Sequence, residues 1–307
     1  MTEPRGQAKL DRLDLGFIGL GNIGGAMAAN LAADGHRLVV HDQNPKREAA
    51  IVAAGGRAAS DVATLAAGAE ITFLSLPTPA VMEDVALRWC AAAREGAVLV
   101  DLTTNAPETV RRVGAALARE GRSLVEAPLT GGAPGAQARM LVFMLGGEDA
   151  AVARVRPLLE SLGRGAFYMG PLGSGNTAKL VNSLFAFATT WVSLEGLAIC
   201  ARAGIDLRTM VEMVRAAGGG NVFINHIVEG LNQRGRPAQF SLDLAAKDAG
   251  LLLDLARDLS VPTPVGAQVA QALVLARAHG FGTRDFTDLV EVMEWLAGVE
   301  LRLRPAE

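Results

Sequence analysis

Cysteine is nearly absent: Cys90 and Cys200 are the two in 307 residues. Neither sits in CxxC spacing, which excludes a disulfide framework and a cysteine-ligated zinc site. The four histidines, His36, His41, His226 and His279, are scattered without metal-ligand spacing, so no metal centre is expected. A cationic excess is missing too. Lys plus Arg total 29 against 32 Asp plus Glu, a formal charge of −3, and without a basic block nucleic acid is not an expected partner. The first dozen residues, MTEPRGQAKLDR, lack the apolar run of a signal peptide. Residues 1–12 therefore read as a flexible start, and the scarcity of cysteine suits a cytoplasmic protein. One apolar segment, Leu180–Cys200, is long enough to cross a bilayer. Asn182 and Glu195 interrupt it and no aromatic belt frames it, so burial in the protein or at a subunit interface is expected in place of a membrane.

What the chain has is apolar mass and order. Half its residues are hydrophobic and a fifth charged, a composition that folds. Apolar runs of strand length recur at Leu13–Leu20, Arg37–His41, Ile71–Leu76, Ala97–Leu102, Leu124–Ala127 and Leu141–Leu145. Ala-rich stretches of helical length, Asn22–Ala33, Pro79–Ala93 and Pro107–Arg119, lie between them, the pattern of buried parallel strands with crossover helices. After Gly175 the strand signal stops. Helical periodicity then covers Thr177–Ala203, Leu207–Ala216, Val222–Leu231, Leu242–Leu259, Pro264–His279 and Asp285–Gly298. The expected architecture is an α/β Rossmann-type parallel-sheet domain, residues 13–173, then an all-α domain, residues 174–305, that begins with a long interdomain helix.

The first run ends in Gly19-Leu20-Gly21-Asn22-Ile23-Gly24 and a helix follows at once. This is G-x-G-x-x-G between strand and helix: Gly19 for the tight turn, Gly21 for close approach to a pyrophosphate, Gly24 for helix–strand packing. A dinucleotide is the implied ligand. Asp42 stands 18 residues after Gly24 at the end of the second strand, where a carboxylate accepts from the adenosine ribose, so NAD is favoured over NADP. Two other roles stay open: Asp42 could cap the turn into Asn44-Pro45, and Lys46 and Arg47 could receive a 2′-phosphate. The glycine-rich Thr130-Gly131-Gly132 offers backbone N–H groups and a hydroxyl to a carboxylate. In Gly170-x-x-Gly173-x-Gly175-x-x-x-Lys179-x-x-Asn182, Lys179 and Asn182 share one helix face. An ammonium there has no structural reward unless it meets water, an anion or a reacting group. Lys247 and Asp248 could be a plain solvated pair.

GLGNIGGAMAANL, EAPLTGGAPGA, GxxGxGxxxKxxN and the late Lys247-Asp248 pair, in this order over nearly the whole chain, resemble the β-hydroxyacid dehydrogenase family. The resemblance implies an oxidoreductase that transfers a hydride between a nicotinamide cofactor and a small 3-hydroxy acid or its semialdehyde. It assigns Lys179 as general acid/base, Asn182 as the group that orients the substrate, and Thr130, Gly131 and Gly132, with Phe240 nearby, as substrate-binding residues. Leu76 and Pro77 would line the cofactor's ribose side, Thr104 would lie near the nicotinamide, and Lys247 would close over the cofactor. Three positions depart from the family pattern: Ile23 replaces Met, Glu126 replaces Asp and Thr130 replaces Ser. The partners implied are a small carboxylate substrate and a second copy of the chain, as homodimer or homotetramer. An imine reductase shares this architecture but lacks the lysine, and a non-catalytic dinucleotide-binding protein would be expected to have lost it. The substituent on the substrate would be selected by the helical half, near Asn221–Asn225 and Phe240.

Overall fold

The computed structural model describes residues 12–303. The chain divides into two compact units, Met1–Lys179 and Leu180–Glu307. The first alternates strand and helix: β1 (Asp14–Ile18), α1 (Asn22–Ala33), β2 (Arg37–His41), α2 (Pro45–Ala53), β3 (Arg57–Ala58), α3 (Val62–Gly68), β4 (Ile71–Leu74), α4 (Pro79–Ala92), β5 (Val98–Asp101) and α5 (Pro107–Arg119). It continues through β6 (Ser123–Glu126), β7 (Leu129–Thr130), α6 (Gly132–Gln137), β8 (Leu141–Gly146), α7 (Asp149–Ser161) and β9 (Gly163–Gly170). The sheet runs β3-β2-β1-β4-β5-β6-β8-β7, with β9 on β8, and every pairing from β3 to β6 is parallel. Chain order reverses between β1 and β4, the switch point where open α/β sheets bind ligands.

The expected strands and helices of this unit form within a few residues of their anticipated ends, and α1 and α5 coincide with theirs. Helix starts follow local chemistry. Pro79 and Pro107 occupy first-turn positions, and the Thr78 hydroxyl accepts from the Val81 amide at 3.3 Å. The central strands are buried on both faces, Phe17 stacks on Phe73, and the indole N–H of buried Trp89 donates to Thr72 Oγ1 at 2.9 Å. One expectation needs correction: Leu141–Leu145 does not extend the parallel series. β8 is antiparallel to β6 and β7, because the connection before it holds only the six-residue α6, too short for a parallel crossover. The short elements β3, α3, β7 and α6 carried too few residues for a periodic signal, and α2, α7 and β9 also went unread.

Helix α8 (Ser174–Arg202) leaves the first unit and continues into the second. The second unit is helical: α9 (Leu207–Ala216), α10 (Phe223–Asn232), α11 (Leu242–Asp258), α12 (Pro264–Ala278) and α13 (Leu289–Ala297), the last preceded by a short 3₁₀ turn. Its core gathers Phe187, Leu194, Leu197, Val211, Ile227, Leu242, Leu273 and Val292. The burial expected for the apolar segment is partial. α8 is long and apolar enough to cross a membrane by length and composition, with 33% of its most apolar window buried. Leu180, Phe187 and Leu194 are buried, while Phe185, Val192 and Ile199 form an exposed row at seven-residue spacing, each at least 60% accessible.

Candidate active site

Five strand ends deliver residues to the carboxyl edge of the sheet: Gly19 after β1, Asp42 after β2, Leu76 and Pro77 after β4, Thr104 after β5, and Thr130 to Gly132 beyond β6. At the first of these the backbone turns with Gly19 at φ +90°. A Cβ there would lie 2.3 Å from the Ser75 carbonyl oxygen, and one on Gly24 would lie 2.1 Å from the Gly19 carbonyl oxygen. Gly21 differs in kind. A Cβ on it meets nothing within 4 Å, so the space before it is open. α1 starts at Gly21 with no side-chain cap and no acidic residue in its first turn, leaving its amides and positive dipole end to an anion. These residues fit the pyrophosphate of a dinucleotide.

Asp42 is used twice by the chain itself. Its Oδ2 accepts from the Leu20 amide at 2.6 Å and its Oδ1 from the Asn44 amide at 2.8 Å, while Asn44 caps α2 through the Lys46 amide at 3.1 Å. The turn-capping role left open by the sequence is therefore real, and it also ties the glycine loop to the end of β2. Arg47 stands 3.6 Å from the same carboxylate. Leu20 is buried, Gly19, Gly21, Ile23, Asp42 and Leu76 are half-buried, and Asn22 and Pro77 are exposed.

Sequence reasoning placed Lys179 on a helix but missed what holds that helix. The buried Glu126 carboxylate grips its first turn: Oε1 accepts from the Gly173 amide at 2.5 Å and the Gly175 amide at 3.0 Å, and Oε2 from the Asn176 amide at 3.1 Å and its side-chain N–H at 2.6 Å. Asn176 Oδ1 accepts from the Asn105 amide at 2.7 Å, and Asn105 Nδ2 donates to Asp101 Oδ2 at 2.6 Å. Asp101 Oδ1 accepts from the Thr103 amide at 3.0 Å, and Thr103 Oγ1 from the Leu76 amide at 3.3 Å. A buried polar chain thus joins the ends of β4, β5 and β6 to the start of α8. The signal available in the sequence was an acidic residue at the end of each of two adjacent strands. Lys179 follows in the second turn of α8, half-buried, with Asn182 one turn further along the same continuous helix.

Burial raises both carboxyls of this chain. Asp101 is pushed up to about 7, against its hydrogen bonds from Thr103 and Asn105 and with help from the charge of Glu126. Glu126 is raised by burial, opposed by the N–H groups of Asn176, Gly175 and Gly173. Between about pH 4 and 7 the folded chain holds a proton on Asp101 that the unfolded chain releases, so this group's stabilisation is lost as pH rises to 7. An Asp101→Asn variant has no such loss, on the order of 4 kcal/mol at full ionisation. The difference in melting temperature, variant minus parent, is expected to rise between pH 5 and 8 and then level off. A difference that stays flat would contradict a protonated Asp101.

Thr130 is half-buried on β7, and Gly131 and Gly132 follow with φ of +124° and +62°, conformations that disfavour side chains. Helix α6, which follows this loop, is tied to α1: Asn30 Nδ2 donates to the Ala136 carbonyl at 2.9 Å, and Arg139 donates to the Asn30 carbonyl and both oxygens of Asp34. In the second unit, Phe240 belongs to an aromatic cluster, its ring 6.3 Å from Phe187 and 6.1 Å from Phe286. The Lys247–Asp248 pair is not plainly solvated. At 3.0 Å, its aspartate is buried and its lysine half-buried. Asn221 Oδ1 accepts from the Ile224 amide in the first turn of α10 and Asn225 Oδ1 accepts from Arg215, so both amides already serve local structure.

Residues 14–170 match the family model described as the NAD binding domain of 6-phosphogluconate dehydrogenase, which covers half the chain, and residues 173–293 match that of NAD-binding of NADP-dependent 3-hydroxyisobutyrate dehydrogenase. The chain belongs to the β-hydroxyacid dehydrogenase family. It is 35% identical to 3-hydroxyisobutyrate dehydrogenase of Pseudomonas aeruginosa, over 93% of this chain and 99% of that one. With 2-(hydroxymethyl)glutarate dehydrogenase of Eubacterium barkeri it shares 31% identity over 94% and 97% of the two chains. The solved 3-hydroxyisobutyrate dehydrogenase of Mycobacterium tuberculosis with L-serine superposes with a TM-score of 0.86 at 26% identity, covering 92% of this chain and 99% of that one. Family membership makes this chain an NAD(P)-dependent oxidoreductase of the hydroxyacid dehydrogenase type.

Proposed function

We propose that the protein interconverts a small 3-hydroxy acid and its semialdehyde, with Lys179 as general acid/base. The observation that carries the reading is the anchoring of α8: Glu126 and Asn176 hold the start of the lysine-bearing helix at the sheet edge where the dinucleotide turn and Thr104 also lie. A bound nicotinamide supplies the two-electron acceptor or donor. In oxidation, the substrate hydroxyl gives its proton to Lys179 Nζ while hydride leaves the carbon that bears it; in reduction, Lys179 returns a proton to the forming alkoxide. Asn182 orients the reacting oxygen, and Thr130, Gly131 and Gly132 bind the substrate carboxylate through a hydroxyl and backbone N–H groups. Phe240 contributes an apolar wall and Lys247 closes over the cofactor. The added methyl of Thr130, where the family has Ser, narrows this part of the pocket.

NAD is the preferred cofactor on this reading, because Asp42 ends β2 where a 2′-phosphate would meet its carboxylate. The exposed row of Phe185, Val192 and Ile199 is covered by a second copy in a cytoplasmic homodimer or homotetramer. The test is reduction of NAD and NADP by purified protein with 3-hydroxyisobutyrate, serine, glycerate and 4-hydroxybutyrate, with light scattering on the same preparation. The expected result is turnover of a 3-hydroxy acid with NAD at a kcat/KM at least about tenfold above NADP, by an oligomer. Turnover of 4-hydroxybutyrate alone overturns the substrate reading, an NADP preference overturns the role of Asp42, and a monomer overturns the assembly.

A further inference from the structure

Glu126 is a buried carboxylate that accepts from four N–H donors at the start of α8. Burying it carries a desolvation penalty that a neutral cap would not. Its surroundings are cut to its length. A Cβ on Gly146 would lie 2.2 Å from Glu126 Oε1, and one on Gly175 would lie 3.1 Å from Glu126 Cγ. The charged and titratable groups around it are Asp101 on β5, whose carboxyl the Glu126 charge raises, and Arg111 on α5, packed against Gly173. Asn176 carries the connection onward to Asn105 and Asp101.

We propose that Glu126 is a positioning residue for the reaction: by gripping the amides of Gly173, Gly175 and Asn176 it sets the axial position and rotation of the first turn of α8, and through it the reach of Lys179. This rests on the reading of Lys179 as acid/base. Two atoms of one carboxylate bind the main-chain N–H groups of Gly173, just before the helix, and of Gly175 and Asn176 in its first turn, which allows neither sliding along the axis nor rotation about it. Misplacing a reacting group by about 1 Å costs on the order of 10²-fold in rate. A glutamine in place of Glu126 turns an NH₂ toward two donors and breaks half of the grip.

The experiment measures kcat, KM and stoichiometric cofactor binding for Glu126→Gln, Glu126→Asp, Lys179→Ala and the Glu126→Gln/Lys179→Ala pair, with rates expressed per bound cofactor. Glu126→Gln is expected to lower kcat about 100-fold with the cofactor KM within about threefold. Glu126→Asp, which keeps the charge one methylene short, should recover at least tenfold of that loss. In the Lys179→Ala background, Glu126→Gln should add less than about twofold. A merely structural role predicts fewer folded molecules with unchanged kcat per bound cofactor, and that result overturns the proposal, as does a full 100-fold loss in the lysine-free background. An active Lys179→Ala enzyme overturns the acid/base reading itself, whatever Glu126 does. Should Glu126→Gln not fold, Gly146→Ala displaces the same carboxylate without removing it and carries the same expected loss of kcat, with unchanged kcat as the contrary result.

Discussion

Lys179→Ala is expected to lower kcat by about 10³-fold while cofactor affinity changes by less than about threefold. Positioned proton transfer contributes roughly 10²–10⁴-fold, and methyl in place of the lysine amine leaves the substrate hydroxyl without a base. The dinucleotide turn and Asp42 lie at other strand ends of the same sheet and keep their hydrogen bonds, so binding of NADH, followed by its fluorescence, should persist. Removing a group that acts only in the transition state lowers kcat and kcat/KM together. A variant whose KM rises with kcat intact would make Lys179 a binding residue and return weight to a different proton donor.

Two glycines of one motif are expected to fail in opposite ways. Gly24→Ala forces a methyl to 2.1 Å from the Gly19 carbonyl and 2.9 Å from Ser75 Cβ, so the backbone of the turn must move. Overpacking of this kind costs about 1–3 kcal/mol, and both the melting temperature and NAD affinity should fall, the latter by about 100-fold. Gly21→Ala adds its methyl to open space from a φ of −64°, which alanine adopts without strain. Its melting temperature should match the parent within about 1 °C, while NAD affinity drops at least tenfold because the methyl stands where the pyrophosphate approaches. Calorimetric titration and thermal melting of both proteins decide the matter. Unchanged NAD affinity in Gly21→Ala would mean that the cofactor does not use this turn.

What could be read in the chain was carried by periodicity and by glycine. Runs such as Ile71–Leu74 and Val98–Asp101 are buried throughout, and their mostly apolar character, relieved only by Thr72 and Asp101, is visible without coordinates. The G-x-G-x-x-G turn was legible because Gly19 and Gly24 answer local steric demands, while Gly21 keeps open the space an anion would enter. The antiparallel β8 was not: strand direction depends on the length of the connection before it, and the six residues of α6 resemble a loop. Whether the Lys247–Asp248 pair is solvated was not legible, because two adjacent charges say nothing of what is packed over them; the aspartate is buried.

The same division runs through the site. Gly19, Gly21, Gly24, Asp42 and Lys179 were nameable from short motifs whose chemistry is local, and Thr104 through the family resemblance alone. The role of Glu126 was not, for it lies 50 residues from its partner Asn176 and 47 from Gly173. A hydrogen bond of that span leaves no periodic trace, and only the sheet brings the two together. The sequence by itself determined a parallel α/β half, a helical half, a dinucleotide turn and a lysine on the helix that joins them, because short-range sterics and burial periodicity act through neighbours in the chain. Tertiary structure alone decided that two strand-end carboxylates and two asparagines lock the start of that helix, because contact between distant segments is set by how the sheet stacks its strands and by the need to satisfy every charge buried there.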